Sequence, residues 1–249
     1  MQLADMTWRE VEAADRSCVV LIPTGSLEQH GPALPLRTDS LIVTAVAEEV
    51  ERRMPDRILL TPTLWLGSSD HHLKMPGTLS ASFEVQIGAL LDVVGCLVPH
   101  GFGKFYLLNG HGGNTAGNSL ATRRLKAAHP NLTFGAMGYY DVVASKVAAL
   151  MEGPQKELRH ACEAETSLVM ALRPDLVRRD KLRDDGLVPD PPVKFGVHSF
   201  DEVTEEGVLG YATYATPEKG KAILEAAVEG VLTELRAVAE GHVFRAQGR

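Results

Sequence analysis

Short runs of consecutive apolar, β-branched residues alternate along this chain with longer stretches in which apolar positions recur every three to four residues. That alternation is the pattern of a mostly parallel sheet covered by helices, an α/β architecture. The runs predict strands at Cys18 to Pro23, Ile58 to Thr61, Lys104 to Leu108 and Leu132 to Met137. The helical periods predict helices at Ser40 to Arg53, Ser82 to Val98, Thr115 to His129 and Tyr139 to Met151. Thr7 and Glu10 have the spacing of a capping box and mark an opening helix. Thr216 as N-cap and Pro217 at the first helical position open a closing helix that runs to Glu240. From Arg173 to Ala215 the pattern loosens, with Pro189, Pro191 and Pro192. This predicts a long excursion that returns to the same core, of the kind that forms lids or subunit contacts. Neither a linker nor a repeat divides residues 1–249, so one domain is expected.

Charge narrows the partners. The 249 residues carry 25 Lys and Arg against 32 Asp and Glu, a formal charge of −7. Such a field repels phosphate backbones and anionic membranes, so neither is expected as a partner. The most apolar stretch, Val85 to Phe105, is interrupted by Asp92, Pro99 and His100, short of the ~18 uninterrupted residues a spanning helix needs. The first residues carry acids where a signal peptide has a basic start, so a soluble cytoplasmic protein is expected. Cys18, Cys96 and Cys162 are odd in number and far apart, and read as three small buried residues rather than disulfides or zinc thiolates.

The chemistry gathers where the strands end, which is where ligands bind in open α/β sheets. The first strand runs into a loop holding Glu28 and His30, with Gly25, Gly31 and Pro32 to curl it, and Asp39 follows at the start of the next helix. Two carboxylates and an imidazole form a ligand set suited to Zn²⁺, Mn²⁺ or Fe²⁺. The third strand runs into Asn109-Gly-His111-Gly-Gly-Asn114, where His111 is either a hydrogen-bonded turn residue or a further ligand. A phosphate-cradling loop is the competing reading, but the P-loop lysine and the Gly-x-Gly-x-x-Gly spacing are both missing. In His160-Ala-Cys-Glu163-Ala-Glu165-Thr-Ser167, ahead of a short helix from Leu168 to Leu172, the glutamates are two apart and cannot share a helical face. At most one of them enters a site, and the other is expected to cap or pair at the surface.

Residues 20–40 (VLIPTGSLEQHGPALPLRTDS), the block PGTLS at Pro76 to Ser80, NGHGGN at Asn109 to Asn114 and HACEAETS at His160 to Ser167 resemble, in order, the creatininase family of metallohydrolases. The resemblance implies a three-layer α/β/α fold, two divalent metal ions per subunit and a hexameric homo-oligomer. It places Glu28, His30, Asp39 and His111 on the metal ligands, with Asp39 bridging. Creatininase proper has a further ligand, a glutamate, two residues after the Asn-Gly-His histidine, and here that position is Gly113. Relatives with this Gly-Gly version imply completion of the second metal by a later glutamate, Glu165 in preference to Glu163. The tryptophans that creatininase uses around its substrate are also missing, since the two here are Trp8 and Trp65. This points away from creatinine and toward another cyclic amide or a formamide, or toward trimming of a modified peptide.

Two ions held close can activate water and polarise an amide carbonyl, the two tasks that hydrolysis of an unactivated C–N bond requires. The departing nitrogen needs a proton, for which His160 is the candidate general acid/base, tuned by Glu163 or Glu165. His72 is the candidate for contact with substrate, whereas His71 beside it would point the other way in an extended chain. A small-molecule amide is thus the expected substrate; a metal-binding protein without turnover is the alternative from another class.

Overall fold

The computed structural model of the chain describes residues 1–185 and 198–241. In chain order the elements are α1 (Trp8–Ala13), β1 (Val19–Thr24), α2 (Thr38–Arg53), β2 (Ile58–Leu60), α3 (Phe83–Leu97), β3 (Lys104–Asn109) and α4 (Asn114–Ala128). There follow β4 (Thr133–Gly138), α5 (Ala144–Leu150), α6 (Glu163–Leu172), β5 (Asp184–Asp185), β6 (Gly210–Tyr211) and α7 (Pro217–Ala239).

Strands β1 to β4 form one parallel sheet in the order β2-β1-β3-β4. Successive side chains of a strand point to opposite faces, and each face here has its own core. Val19, Leu21, Ile58, Leu60, Tyr106 and Leu108 pack against α2, α6 and α7, together with Val147 of α5. Val20, Ile22, Leu59, Phe105 and Leu107 pack against α3 and α4. The result is a three-layer α/β/α sandwich. From β1 the chain moves to β2 through α2 on the first face, and from β3 to β4 through α4 on the second. Direction and face reverse together, which keeps one hand of crossover. The reversal also makes the crevice beyond the carboxyl ends of β1 and β3 the switch point of the sheet.

Several elements differ from the sequence expectation. The segment Tyr139 to Met151 is a 3-10 turn, Tyr139–Val142, followed by the short α5. Asp141 accepts a hydrogen bond from Gly138 N–H and holds the strand end extended. α6 opens at Glu163 rather than Leu168, with Cys162 as an extended N-cap and both glutamates in the first turn, where the helix dipole favours anions. Cys18 and Cys162 are buried, but Cys96 is exposed on α3. The segment Phe83–His100 reaches a mean hydropathy of 1.3, long and apolar enough to cross a membrane by length and composition, although only 22% of it is buried. Its Ile87, Leu90, Val94 and Leu97 nevertheless pack under the sheet as the inward stripe of a core helix.

The excursion after α6 does return to the core, through Val177 and Val208. Its two short strands β5 and β6 pair antiparallel, and a 3-10 turn at Phe200–Glu202 lies over the carboxyl end of the sheet. Pro189, Pro191 and Pro192 fall outside the described residues.

Candidate metal centre

A cavity of about 270 Å³ opens at the switch point. Glu28, Asp39, His111 and Glu165 line it, as do His71, His72, His160, Gly112, Gly113, Tyr140 and Phe200. Four backbone devices bring these side chains together. The β1 loop turns at Gly31, whose φ is +62°, and Leu27 bridges to Leu79, so that Glu28 and His30 both face inward. Asp39 occupies the first turn of α2. His111 follows β3, its carbonyl held by Asn109 Nδ2 at 2.7 Å. Ala161, with φ at +50°, is the one non-glycine residue in the left-handed region among the described residues. That turn lets its N–H donate to Glu165 Oε2 at 2.6 Å, beside His160.

The cluster is continuous and buried. His30 Nε2 lies 3.2 Å from Asp39 Oδ1 and 3.8 Å from Glu165 Oε2. His111 Nδ1 lies 3.1 Å from Asp39 Oδ2, and its Nε2 lies 3.2 Å from Glu28 Oε2. Glu28 Oε1 lies 3.3 Å from His72 Nε2 and 3.5 Å from His160 Nδ1. Although crowded, Glu28 Oε1 and Asp39 Oδ2 are buried and accept no hydrogen bond of good geometry. Leaving a carboxylate oxygen in that condition is costly unless a cation meets it.

Electrostatics reflect the same crowding. Burial lowers the His30 pKa, but the Asp39 charge and hydrogen bond outweigh it and lift His30 to about 9. His111 is likewise raised against burial, by Glu28 and Asp39. Burial pushes Asp39 up, yet His30 and His111 hold it well below the ordinary carboxylate range. Glu165 is raised to about 8, chiefly by burial. His72 and His160 move the other way: burial and the neighbouring imidazoles push His72 down to about 2 and hold His160 far below its usual value. The site therefore contains imidazoles of two kinds, those paired with Asp39 and those kept neutral beside them.

Of the residues singled out from sequence, Glu28, His30, Asp39, His72, His111, His160 and Glu165 meet around this cavity. Glu163 does not. Its carboxylate accepts Lys219 Nζ at 2.6 Å and the N–H groups of Glu152 and Gly153 at 3.0 Å. It is buried rather than at the surface, and it ties α6 to α7 instead of tuning His160. The prediction for His71 also fails: residues Asp70–His72 form a 3-10 turn, not an extended chain, so both histidines face the cavity. Sequence reading passed over Gln29 and Phe200. Gln29 lay in view between two expected ligands, whereas nothing local marks Phe200, whose ring centroid sits 3.8 Å from that of His72.

The backbone is crowded at Gly113. A Cβ there would lie 2.2 Å from Ser68 O and 2.4 Å from His111 Nε2. A side chain at this position would need the loop to shift, whereas Glu165 reaches the cavity from α6.

The family model for creatininase, creatinine amidohydrolase, matches residues 4–235. Creatinine amidohydrolase of Pseudomonas putida is 32% identical over 94% of this chain and 95% of its own. A mycofactocin precursor peptide peptidase of Mycobacterium ulcerans is 32% identical, covering 87% of this chain and 84% of its own. The 3-dehydro-scyllo-inosose hydrolase of Thermotoga maritima is 29% identical, covering 90% and 79%. A crystal structure of creatininase superposes with a TM-score of 0.82 at 32% identity, covering 94% of this chain and 96% of that one. Solved creatininases that superpose equally well, at 0.82, include a mutant of Zn-Zn type and a Mn form. Fold, motif order and full-length similarity agree, and the chain belongs to the creatininase family.

Proposed function

We propose that this hydrolase is a two-metal amidohydrolase that cleaves the C–N bond of a small cyclic amide or formamide. The observation that carries the reading is the buried meeting of Glu28, His30, Asp39, His111 and Glu165, with carboxylate oxygens that lack hydrogen-bond partners. Asp39 spans the cluster, one oxygen toward His30 and the other toward His111. Glu28, Asp39 and His111 would hold one ion, and His30, Asp39 and Glu165 the other. The mixed carboxylate and imidazole set suits Zn²⁺, with Mn²⁺ and Fe²⁺ as chemically allowed occupants. Two such ions supply Lewis acidity to an amide carbonyl and acidify water.

The chain's own groups supply the remainder. Gly112 and Gly113 present backbone rather than side chains at the wall, where amide donors can meet a developing oxyanion. His160 lines the cavity, with its pKa held well below the usual value chiefly by burial, and it would take a proton from water before passing it to the departing nitrogen. Phe200, Tyr140 and Leu209 give the cavity its apolar side. A volume of about 270 Å³ sits at the small end of ligand pockets, which favours a compact amide over an extended peptide. Neither tryptophan reaches the cavity, in keeping with a substrate other than creatinine. Exposed Trp65, Leu66, Leu79, Phe83 and Val85 supply apolar surface for a homo-oligomer, which belongs to the same proposal.

The test is metal-stripped protein reconstituted with Zn²⁺ or Mn²⁺ and assayed on cyclic amides, formamides and short peptides. Metal-dependent hydrolysis of a small amide supports the reading. Trimming of peptides alone would establish the peptidase alternative, and no turnover by fully loaded protein would leave a metal-binding protein without catalysis.

A further inference from the structure

Beside the cavity that gathers the candidate ligands lies a second one, of about 370 Å³, between α4 and the edge strand β4. Thr115, Asn118, Ser119 and Thr122, on one face of α4, line it opposite the strand. Tyr140 is the one residue among the described residues that lines both cavities. Its ring is held from three directions. The phenol oxygen accepts from Asn109 Nδ2 at 2.8 Å and lies 3.2 Å from Thr115 Oγ1. The ring presses on the end of β4, where a Cβ on Gly138 would lie 2.3 Å from Tyr140 Cε2 and Cζ. The buried Tyr139 ring meets it at 67°, with centroids 5.5 Å apart. Phe200 is held differently, on a turn tied down by the exposed Lys74–Asp201 pair, so that side can yield to a substrate while Tyr140 cannot.

We propose that Tyr140 is the specificity-determining residue of this site: it shuts the first cavity off from the second and so restricts the substrate to a compact amide without an extension on that side. The proposal rests on the amidohydrolase reading for what the substrate is, and on the pinned ring for how large it can be. Without the ring the two cavities become one. The added space is lined by hydroxyls and carries Asp141 as its one charged group, which suits a neutral, hydroxyl-bearing extension.

Hydroxamates test this, because they bind zinc through a small head group and carry a tail of chosen length. Acetohydroxamate is the compact probe, and a hydroxamate with a straight, hydroxyl-ended hexanoyl tail is the extended one. Both are titrated by calorimetry into Zn²⁺-loaded full-length protein. The parent is expected to bind the compact probe at least about tenfold more tightly. Tyr140→Ala is expected to shift the ratio of the two Kd values about tenfold to a hundredfold toward the extended probe. Tyr140→Leu, a milder truncation, is expected to shift it in the same direction by less. Tyr140→Phe loses the hydroxyl but keeps the ring, and is expected to retain the parent ratio. A crystal structure of Tyr140→Ala is expected to show the cavities joined. The proposal is overturned by a parent that binds both probes alike, by a ratio indifferent to Tyr140→Ala and Tyr140→Leu, or by cavities that stay apart in the Tyr140→Ala structure. The expected shift in a protein that hydrolyses no amide would uphold the partition and discredit the amidohydrolase reading alone.

Discussion

The floor and the roof of the cavity are built from different materials. The floor consists of Glu28, Asp39, His111 and Glu165, all buried, each within a few residues of a strand end or a helix start. Its backbone is pinned by the parallel sheet, by Gly113 wedged against Ser68, and behind α6 by the Lys219–Glu163 pair. The roof is the His71–His72 turn and Phe200 of the excursion, joined by ring packing and by an ion pair between Lys74 and Asp201 at 2.7 Å. Lys74 is 64% exposed, so that pair is screened. The difference teaches that the groups that would hold ions sit where packing and the sheet pin the backbone, while the groups proposed to meet a substrate hang on contacts that water can replace.

The contrast is most sharply broken at the floor. Asp39→Ala removes the carboxylate that spans both imidazoles and is expected to cost at least one ion and about 10³-fold or more in activity, checked by metal analysis beside hydrolysis rates. Full activity with two ions still bound would reject the spanning role. Lys219→Met leaves the Glu163 carboxylate buried without its cation, an expected cost of about 3–5 kcal/mol in denaturant unfolding. Gly113→Ala forces a Cβ onto Ser68 O and His111, for an expected loss of about 1–3 kcal/mol together with weakened metal affinity by titration. A Tm equal to the parent would show that the loop yields.

Substitutions in the roof are expected to spare the metals. Phe200→Ala should raise KM about tenfold with kcat and ion content nearly unchanged, the signature of lost ground-state contact. Lys74→Ala should change stability by less than about 1 kcal/mol, and a larger loss in a thermal melt would mean the strap is stiffer than its exposure suggests.

Much of the floor could be read from the chain because its information is local. Glu28 and His30 share one loop, His111 follows its strand directly, and the strand runs are near-continuous because the sheet is covered on both faces. Glu165 was separable from Glu163 only through the family resemblance. In the structure the choice turns on the left-handed Ala161 and on Lys219, 56 residues from Glu163. The alternation argument that sent His71 outward assumed extended backbone, and the turn at Asp70–His72 removed its premise.

The chain by itself determined the layer architecture and the ligand types, since period, turn residues and donor chemistry are properties of neighbours in sequence. Tertiary structure decided which glutamate faces the cavity, which imidazoles pair with Asp39, and that Phe200 covers them. Those outcomes depend on contacts between residues far apart in the chain, such as Phe200 with His72, and no local pattern carries them.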